Sequence, residues 1–358
     1  MKAYGARWRR RFGVALGVVA LVGLTGLVQA APVENVNIRT TNCEDISFSV
    51  IEAPNADSPL PGYQIVLDDP VRQPEDGFIP GNPIVFGLMI TGKDLYHEYL
   101  GRKSMDCFLN QTYDRKVLIV VNDSPEYSMV DGPSEWLRAR QLPEPPRERS
   151  CVVELRVPPR QFVLGDLRNI AINAVPLGAV WVQWDDDELE NMFKRHALVG
   201  YMAAEYNLYM QLNSTWRFTT SANIFHDCIH PFSPRQKKTD PQGLHGTIMA
   251  YKSSQIAELQ YPSLGRAEDS KFWNQLRENK ISHTSLNNDP WLYFKLFHGT
   301  NTWGAAHAGQ QRGQNDVWCT RDEGFGCDKE TANEYHRFVL SVYRDWHQVF
   351  GVDPTTAA

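Results

Sequence analysis

Three motifs that mark large enzyme classes are missing from this sequence of 358 residues. No Gly-x-Ser-x-Gly segment is present, so nothing indicates a serine hydrolase whose nucleophile sits on a strand-to-helix turn. The Gly-rich segment 299–313 does not end in Lys-Ser or Lys-Thr, which excludes a phosphate-binding loop of that type there. The His-Glu-x-x-His segment of zinc proteases is also missing. Any catalytic chemistry must come from a different arrangement of residues.

Acidic residues are missing from the first thirty positions, which contain five Lys and Arg residues instead. These cations are followed by an apolar run from Phe12 to Val28 and by small residues ending at Ala30. This order predicts a cleavable secretory signal over residues 1–30 and a periplasmic or secreted mature protein. The alternative is an N-terminal membrane anchor, but the run is short for a hydrocarbon core of about 30 Å. No stable membrane span is therefore expected after cleavage.

Basic surface is scarce in the rest of the chain. The whole sequence has 36 Lys and Arg against 42 Asp and Glu, so without its first thirty residues it carries 31 against 42, a net charge of −11. Nucleic acids and anionic lipids are bound by concentrated basic surfaces. The one basic cluster, residues 235–238, lies in a Pro-rich segment that predicts a solvated turn. Nucleic acid is therefore not expected as a partner. The remaining candidate partners are an unknown protein, a small molecule or a glycan.

Six cysteines, all beyond residue 30, fit an oxidising compartment in which disulfides persist. Cys319 and Cys327 flank a polar, turn-forming segment, and we predict that they are paired. Cys228 then has no partner in the C-terminal half, so it is a thiol, a metal ligand, or paired with a cysteine of the N-terminal half. The candidates there are Cys43, Cys107 and Cys151.

Short β-branched runs separated by Pro and Gly fill residues 31–184. Such runs are typical of strands, and partial alternation of apolar and polar residues favours a sheet with one covered face. The six runs are Ile46–Ile51, Ile65–Leu67, Ile84–Ile90, Val117–Val121, Val152–Val157 and Ala179–Trp184. We therefore predict a β-rich, sandwich-like domain over residues 31–184.

Residues 185–358 have the spacing of helices, which predicts a second, mainly α-helical and His-rich domain. Acidic residues favour a helix N-terminus, so the run beginning at Asp185 predicts a helix to about Leu212. Further helices are predicted over residues 289–299, which open with Asp-Pro, and over residues 331–349, which open with a capping box. Together the two halves predict an α+β protein.

Nine of the ten histidines follow Trp184. The segment 221–230 predicts a short helix stopped by a proline, which would place His226 and His230 one turn apart on one face. Two imidazoles so placed can hold Zn²⁺, and a third ligand with a bound water would make the site hydrolytic. His245 and His307 are the candidates for that third ligand. Histidine pairs at this spacing also pack or face solvent, which is the simpler interpretation.

The leading functional hypothesis is therefore a metal-assisted hydrolase, in which Zn²⁺ held by these histidines generates hydroxide. No residue is identified as the catalytic acid or base. A thiol nucleophile at Cys228 beside His226 is a competing chemistry, and it requires that the thiol escape pairing. The alternative of a different class is a non-enzymatic periplasmic or extracellular protein whose β half binds a partner.

Overall fold

A computed structural model of the chain describes residues 38–53, 58–68, 83–111, 113–140, 151–189, 209–212, 214–219, 224–229, 248–286, 294–297 and 317–319. The strands are β1 (Ile38–Thr40), β2 (Phe48–Glu52), β3 (Tyr63–Leu67), β4 (Val85–Thr91), β5 (Lys116–Asn122), β6 (Val152–Arg156), β7 (Val180–Gln183), β8 (Glu188–Leu189), β9 (Tyr209–Leu212), β10 (Ser214–Thr219), β11 (Ile224–Ile229), β12 (Met249–Tyr251), β13 (His283–Leu286), β14 (Phe294–Phe297) and β15 (Val317–Cys319). The helices are α1 (Leu95–Leu109), α2 (Glu135–Arg138), α3 (Leu164–Ala174), α4 (Ser254–Ala257) and α5 (Glu268–Glu278).

Four parallel strands, β4 to β7, form the centre of an eight-stranded sheet. Every residue of β4 is buried, and so is every residue of β5 after its first. A strand that is covered on both faces has no solvent side, which explains why residues 117–121 are an unbroken apolar run. Strand β1 joins the edge at β6, and β12, β9 and β13 extend the sheet beyond β7.

The order of the parallel strands is β6-β5-β4-β7. From β4 the chain passes through α1 to β5 and through α2 to β6, moving outward on one side. It then returns through α3 to β7, on the other side of β4. The strand order therefore reverses between β4 and β7, and ligands of open α/β sheets bind outside the carboxyl ends of the strands at such a reversal.

Helices cover both faces of the sheet. On one face, Phe108 of α1 lies so close to Gly87 of β4 that a Cβ at Gly87 would come within 2.5 Å of its ring. On the other face, the main apolar core joins α3, α5 and the β2–β3 hairpin to the alternate residues of the central strands. Trp181 of β7 packs edge to face on Phe272 of α5, with ring centroids 5.9 Å apart. The sheet is thus the middle layer.

A buried lysine fixes the C-terminal end of α3. Lys252 is 7% exposed, and its Nζ donates hydrogen bonds to the backbone carbonyls of Ile172 at 2.7 Å and Val175 at 2.5 Å. The last carbonyls of a helix have no partner within the helix and carry partial negative charge. A lysine there supplies the missing hydrogen-bond donors and a compensating positive charge. Lys252 follows β12 directly and therefore ties α3 to the far part of the sheet.

The remaining strands form two smaller sheets. Strands β2 and β3 pair as an antiparallel hairpin. A five-stranded sheet has the order β15-β11-β10-β14-β8, with β10 and β14 parallel and the other pairs antiparallel. None of the helices in the described ranges has the length and hydrophobicity needed to cross a membrane.

The predicted fold class, a sandwich-like β half followed by a helical, His-rich half, is wrong. The six predicted strands are confirmed as β2 to β7, but α1 and α3 lie between them and make parallel crossovers, which gives an α/β fold. Strands that follow Trp184 join the same eight-stranded sheet.

Three of the predicted helices are also wrong where the structure describes them. Residues 224–229 and 294–297 are strands, and so are residues 188–189 and 209–212. The cause is tertiary: β11 pairs with β10 on one side and β15 on the other, and this pairing overrides the local spacing. The predicted helix over residues 331–349 lies outside the described residues.

A disulfide joins Cys43 to Cys151, next to the pairing of β1 with β6. It removes both cysteines from the candidate partners of Cys228. The predicted Cys319–Cys327 bond is not tested, because Cys327 lies outside the described residues.

Replacing Cys43 and Cys151 together by Ser should lower the free energy of unfolding by about 2 to 4 kcal/mol, since the bond closes a loop of 108 residues. Urea unfolding of the double variant and the parent, each with and without reductant, measures this. Reductant should destabilise the parent more than the variant. Equal midpoints for the two proteins without reductant would show that the bond contributes nothing.

Candidate active site

A cavity of about 540 Å³ opens at the carboxyl ends of β4, β5 and β7, at the reversal of strand order. Its walls come from the segments that follow these strands, from the first turns of α1 and α3, and from the loop before α5. Four acidic residues line it: Asp123, Asp185, Asp186 and Asp187. Four Lys and Arg residues line it as well, Lys93, Arg160, Arg168 and Arg266, and so does His97. Such a lining suits a ligand that carries charges of both signs.

The acidic segment 185–187 follows β7 almost directly, so the end of the strand fixes its position. Asp186 points into the protein and is only 8% exposed, whereas the side chain of Asp185 is 20% exposed and Asp187 is half-buried. All three line the cavity, and Asp185 and Asp187 are the more exposed of the three.

Arg168 of α3 holds the first of these carboxylates. Its Nη2 lies 2.9 Å from Asp185 Oδ1, and its Nε donates to Glu268 Oε1 at 3.0 Å. Arg168 is 6% exposed and Glu268 is 3% exposed, so the pair is desolvated. Burial alone would lower the pKa of Arg168, but Asp185 and Glu268 outweigh it and raise that pKa well above its usual value. The guanidinium therefore stays charged and links β7, α3 and α5.

His97 also lines the cavity, from the first turn of α1. Asp94 caps this helix by accepting from the backbone N–H of His97 at 2.9 Å, and its Oδ1 also lies 2.7 Å from His97 Nδ1. Burial alone would lower the pKa of His97, but Asp186 and Asp94 outweigh it and raise the pKa to about 9. Burial raises the pKa of Asp186, and the nearby His97 opposes that rise. A buried carboxylate and a buried imidazole thus compensate each other.

The segment after β4 requires a glycine. Gly92 has a φ of +127°, and a Cβ at this position would lie 2.0 Å from the Asp123 carboxylate. Glycine is the residue that adopts this conformation and permits so close an approach. Burial raises the pKa of Asp123, while the backbone N–H of Arg160 donates to its carboxylate and lowers that pKa. The ends of β4 and β5 therefore meet at the cavity wall.

The predicted histidine site is not assembled as expected. His226 lies in strand β11, so the helix that would have paired it with His230 does not exist there. His230, His245 and His307 lie outside the described residues, and their grouping is not tested. The described part of the chain contains no group of three or more His, Cys, Asp and Glu residues that could hold a metal ion by itself.

The acids from Asp185 to Glu190 could be considered from the sequence as paired carboxylates for glycoside cleavage, but helix capping and solvation were preferred. Asp185 to Asp187 were interpreted as helix-capping acids, although the signal was present: an apolar strand, Val180–Gln183, ends immediately before them. His97, Arg168 and Glu268 gave no signal, because they are separated widely in sequence and meet only in the fold.

No protein-family model and no curated protein matches the sequence. Solved structures do resemble it at low identity. S. aureus TarS 1–349 with UDP is 12% identical, with a TM-score of 0.42 and 60% of each chain covered. The same protein with UDP-GlcNAc is 10% identical, with a TM-score of 0.44, over 76% of this chain and 74% of that one.

A third structure is the mannosyltransferase PcManGT from Pyrobaculum calidifontis in complex with GDP-Man and Mn²⁺. It is 15% identical, with a TM-score of 0.40, over 64% of this chain and 60% of that one. The chain spans 60% of the length of the first TarS structure. All these TM-scores lie below 0.5, so the fold assignment rests on the sheet of this chain itself.

The two functional hypotheses drawn from the sequence are both wrong. The zinc hydrolase hypothesis requires a helix that carries both His226 and His230, but His226 lies in a strand. The cavity at the strand reversal is lined by carboxylates and guanidinium groups instead. A β half that binds a partner while a helical half supports it does not exist, because strands from both halves form one sheet.

Proposed function

We propose that this chain is a transferase that uses a nucleoside diphosphate sugar as donor, with the help of a divalent cation. The observation that carries the proposal is the placement of Asp185 and Asp187 at the cavity, among four Lys and Arg side chains, where the strand order reverses. A cavity of about 540 Å³ lies within the usual range for small-molecule sites.

The acidic segment fits a hard cation such as Mg²⁺ or Mn²⁺ better than it fits Zn²⁺. Asp185 and Asp187 supply oxygen donors and no nitrogen or sulfur. Mg²⁺ is commonly held by one or two carboxylates together with substrate phosphates and waters, and it does not need a complete protein cage. Two partly exposed carboxylates, with no third protein ligand beside them in the described ranges, match that pattern. When bound, such a cation would neutralise charge on a diphosphate.

The cationic residues suit the phosphates of the donor. Arg168 forms ion pairs with Asp185 and Glu268, so its role is to hold the acidic segment in place. Lys93, Arg160 and Arg266 line the same cavity from three separate loops. Guanidinium groups bind phosphate oxygens in a bidentate manner, and lysine adds a point charge. These three residues are the candidates for direct phosphate contact.

The bond that breaks in the proposed reaction is identified by the group on which the site would stabilise negative charge. If the site stabilises a leaving diphosphate, the bond that breaks joins that diphosphate to the C1 atom of the sugar. The diphosphate leaves with the bonding electrons, the oxygen of an acceptor hydroxyl forms the new bond to C1, and the proton of that hydroxyl passes to water.

We also propose that the protein acts after export. The signal-like residues 1–30 support this, and so does the Cys43–Cys151 disulfide, since such bonds persist in oxidising compartments. Mass spectrometry of the non-cytoplasmic fraction should find an N-terminus near Ala31. An N-terminus that retains the arginines of residues 7–11 would contradict it.

The test of the transferase proposal is nucleotide release. The purified protein is incubated with UDP-GlcNAc or GDP-Man and Mn²⁺, and UDP or GDP is measured as water or an added sugar accepts the glycosyl group. UDP and GDP sugars are chosen as probes because the solved structures contain them. Release that EDTA abolishes and Mn²⁺ restores is the expected result. No release and no binding of UDP or GDP with Mn²⁺ would overturn the proposal.

A further inference from the structure

An apolar lip borders the cavity where the segment before α3 meets the loop before α5. Val163 and Leu264 are each 39% exposed, and they are two of the six large apolar side chains that are exposed in the described part of the chain. Their chain neighbours Phe162, Leu164 and Gly265 line the cavity. The lip consists of Phe162, Val163, Leu164 and Leu264.

Hydrogen bonds hold the two segments of the lip together. The backbone N–H of Gly165 donates to the backbone carbonyl of Leu264 at 2.9 Å. Asp166 Oδ2 accepts from the backbone N–H of Val163 at 3.3 Å and from Ser263 Oγ at 3.1 Å. Val163 and Leu264 therefore lie on segments that are fixed side by side at the cavity.

Valine is an unfavourable residue at position 163. Val163 is the N-cap of α3, where Ser, Thr, Asp and Asn are preferred because their side chains accept a hydrogen bond from the first turn of the helix. The side chain of Val163 makes no such bond. The residue is thus locally unfavourable and also exposed, and a residue that breaks a local rule in this way is expected at a functional site.

Apolar surface continues from the lip into the cavity. Ile90 and Leu167 line the cavity together with the inner residues of the lip, and the same cavity contains the acidic segment. Arg160 and Arg266, which are exposed and also line the cavity, flank the lip in the sequence. Exposed apolar patches with polar rims commonly mark binding grooves. The cavity and its lip together suit a ligand with a polar head and an apolar chain.

We propose that the acceptor of this transferase is amphiphilic, with a hydroxyl-bearing head in the cavity and an alkyl chain that leaves the cavity over the lip. The head hydroxyl supplies the oxygen that bonds to C1 of the donor sugar, and the chain covers Val163 and Leu264. This inference rests on the proposed function, since it names the class of acceptor for the same site.

The measurement is the affinity for alkyl glucosides, determined by isothermal titration calorimetry on protein saturated with Mn²⁺ and with UDP or GDP. Octyl β-glucoside, kept below the concentration at which it forms micelles, should bind about 15- to 60-fold more tightly than methyl β-glucoside, the gain for burying two or three methylene groups. Equal affinities, or no binding of octyl β-glucoside, would overturn the inference.

Variants of the lip locate the chain. Val163→Ser,Leu264→Ser should reduce the preference for the octyl chain to less than about threefold, because less than one methylene group would then be buried. Serine is favoured at an N-cap, so the change at position 163 should not destabilise α3. Leu177→Ser is the matched control and should keep the full preference, because Leu177 is 45% exposed and follows the opposite end of α3.

Two results with these variants would contradict the inference. One is a chain preference that survives in the double variant, and the other is a preference that Leu177→Ser loses equally. If the double variant does not fold, as judged by circular dichroism, Val163→Ser alone decides.

Nucleotide and membrane binding identify other occupants of the lip. The double variant should bind UDP or GDP with Mn²⁺ as tightly as the wild type, and a loss of that affinity would place the donor on the lip and overturn the inference. Binding of the wild type to phosphatidylcholine vesicles without any preference for the octyl chain would make the lip a membrane contact instead. If the wild type binds neither nucleotide, the proposed function fails. If it binds one of them and shows no chain preference, only the amphiphilic acceptor fails.

Discussion

Replacing Asp187 by Asn should reduce cation-dependent release of UDP or GDP from the donor sugar by about 100- to 1,000-fold, the range found for removing one preorganised electrostatic group. Asp187 lines the cavity and is one of the two more exposed carboxylates of the acidic segment. Asn preserves its size and removes its charge, so a bound cation would lose a ligand while the backbone keeps its course. Initial rates at saturating Mn²⁺ measure the effect.

Asp114→Asn is the control for this result. Asp114 is exposed and precedes β5, at the amino end of the parallel strands and away from the cavity. Its replacement changes the net charge by the same amount and should leave the rate within about twofold, as surface substitutions usually do. A rate for Asp187→Asn that equals the wild-type rate would remove the acidic segment from the reaction.

Arg168→Leu should lower the free energy of unfolding by about 3 to 5 kcal/mol, the usual cost of removing one partner from a buried ion pair. Glu268 would be left buried without its guanidinium, and Asp185 would lose the contact that fixes it beside the cavity. Burial already raises the pKa of Glu268 while Arg168 opposes that rise, so the variant should raise this pKa further. Urea unfolding at pH 7 measures the loss.

Acidification provides an internal check. A carboxyl whose folded-state pKa is raised stabilises the fold below its unfolded pKa and loses that contribution as the pH rises through the folded value. The deficit of Arg168→Leu relative to the wild type should therefore shrink between pH 7 and pH 5. Arg168→Leu,Glu268→Leu should recover part of the loss at pH 7, because no buried charge remains on α5. A deficit that is independent of pH and of Glu268 would mean lost packing alone.

The sequence predicts the central strands well and their arrangement poorly. The apolar runs at 84–90 and 117–121 do form β4 and β5. Their near-continuous hydrophobicity is the pattern of strands buried on both faces in a parallel sheet, and a sandwich strand would alternate more strictly. The helix between them was the missing element, and without it the parallel connection could not be inferred.

Helix α1 was missed because four of its ten buried residues are polar or charged. It buries His97, Glu98, Arg102 and Ser104 among its apolar residues. Arg102 donates to Glu98 Oε1 from both Nε and Nη2, at 3.0 and 2.9 Å, and to the backbone carbonyl of Ser128 at 2.8 Å. Inside the fold, these buried polar side chains are satisfied by hydrogen bonds and ion pairs. The hydrophobic period of the sequence does not reveal such pairing, so the apolar stripe that identifies most helices is weak in α1.

The candidate site could be found from the sequence only in part. The sequence shows three consecutive aspartates after a predicted strand. The sequence alone does not distinguish acids that follow a strand at a site from acids that cap a helix, and the strand order is needed to decide. That order decides which ends of β4 and β7 meet at the reversal. The helical interpretation of 221–230 failed for a related reason, since the pairing of β11 depends on partners distant in the chain.

During synthesis, the residues that complete the cavity emerge after the strands of the central sheet. Strands β4 to β7 with α1 and α3 occupy residues 85–183 and depend mostly on one another, so this framework can form while the rest of the chain is still emerging. Lys252 and Glu268 reach back to α3 across about 80 and 100 residues, and contacts so distant form slowly. A nascent chain can therefore hold an ordered sheet while the candidate site is still incomplete, because Arg168 then has Asp185 but not yet Glu268.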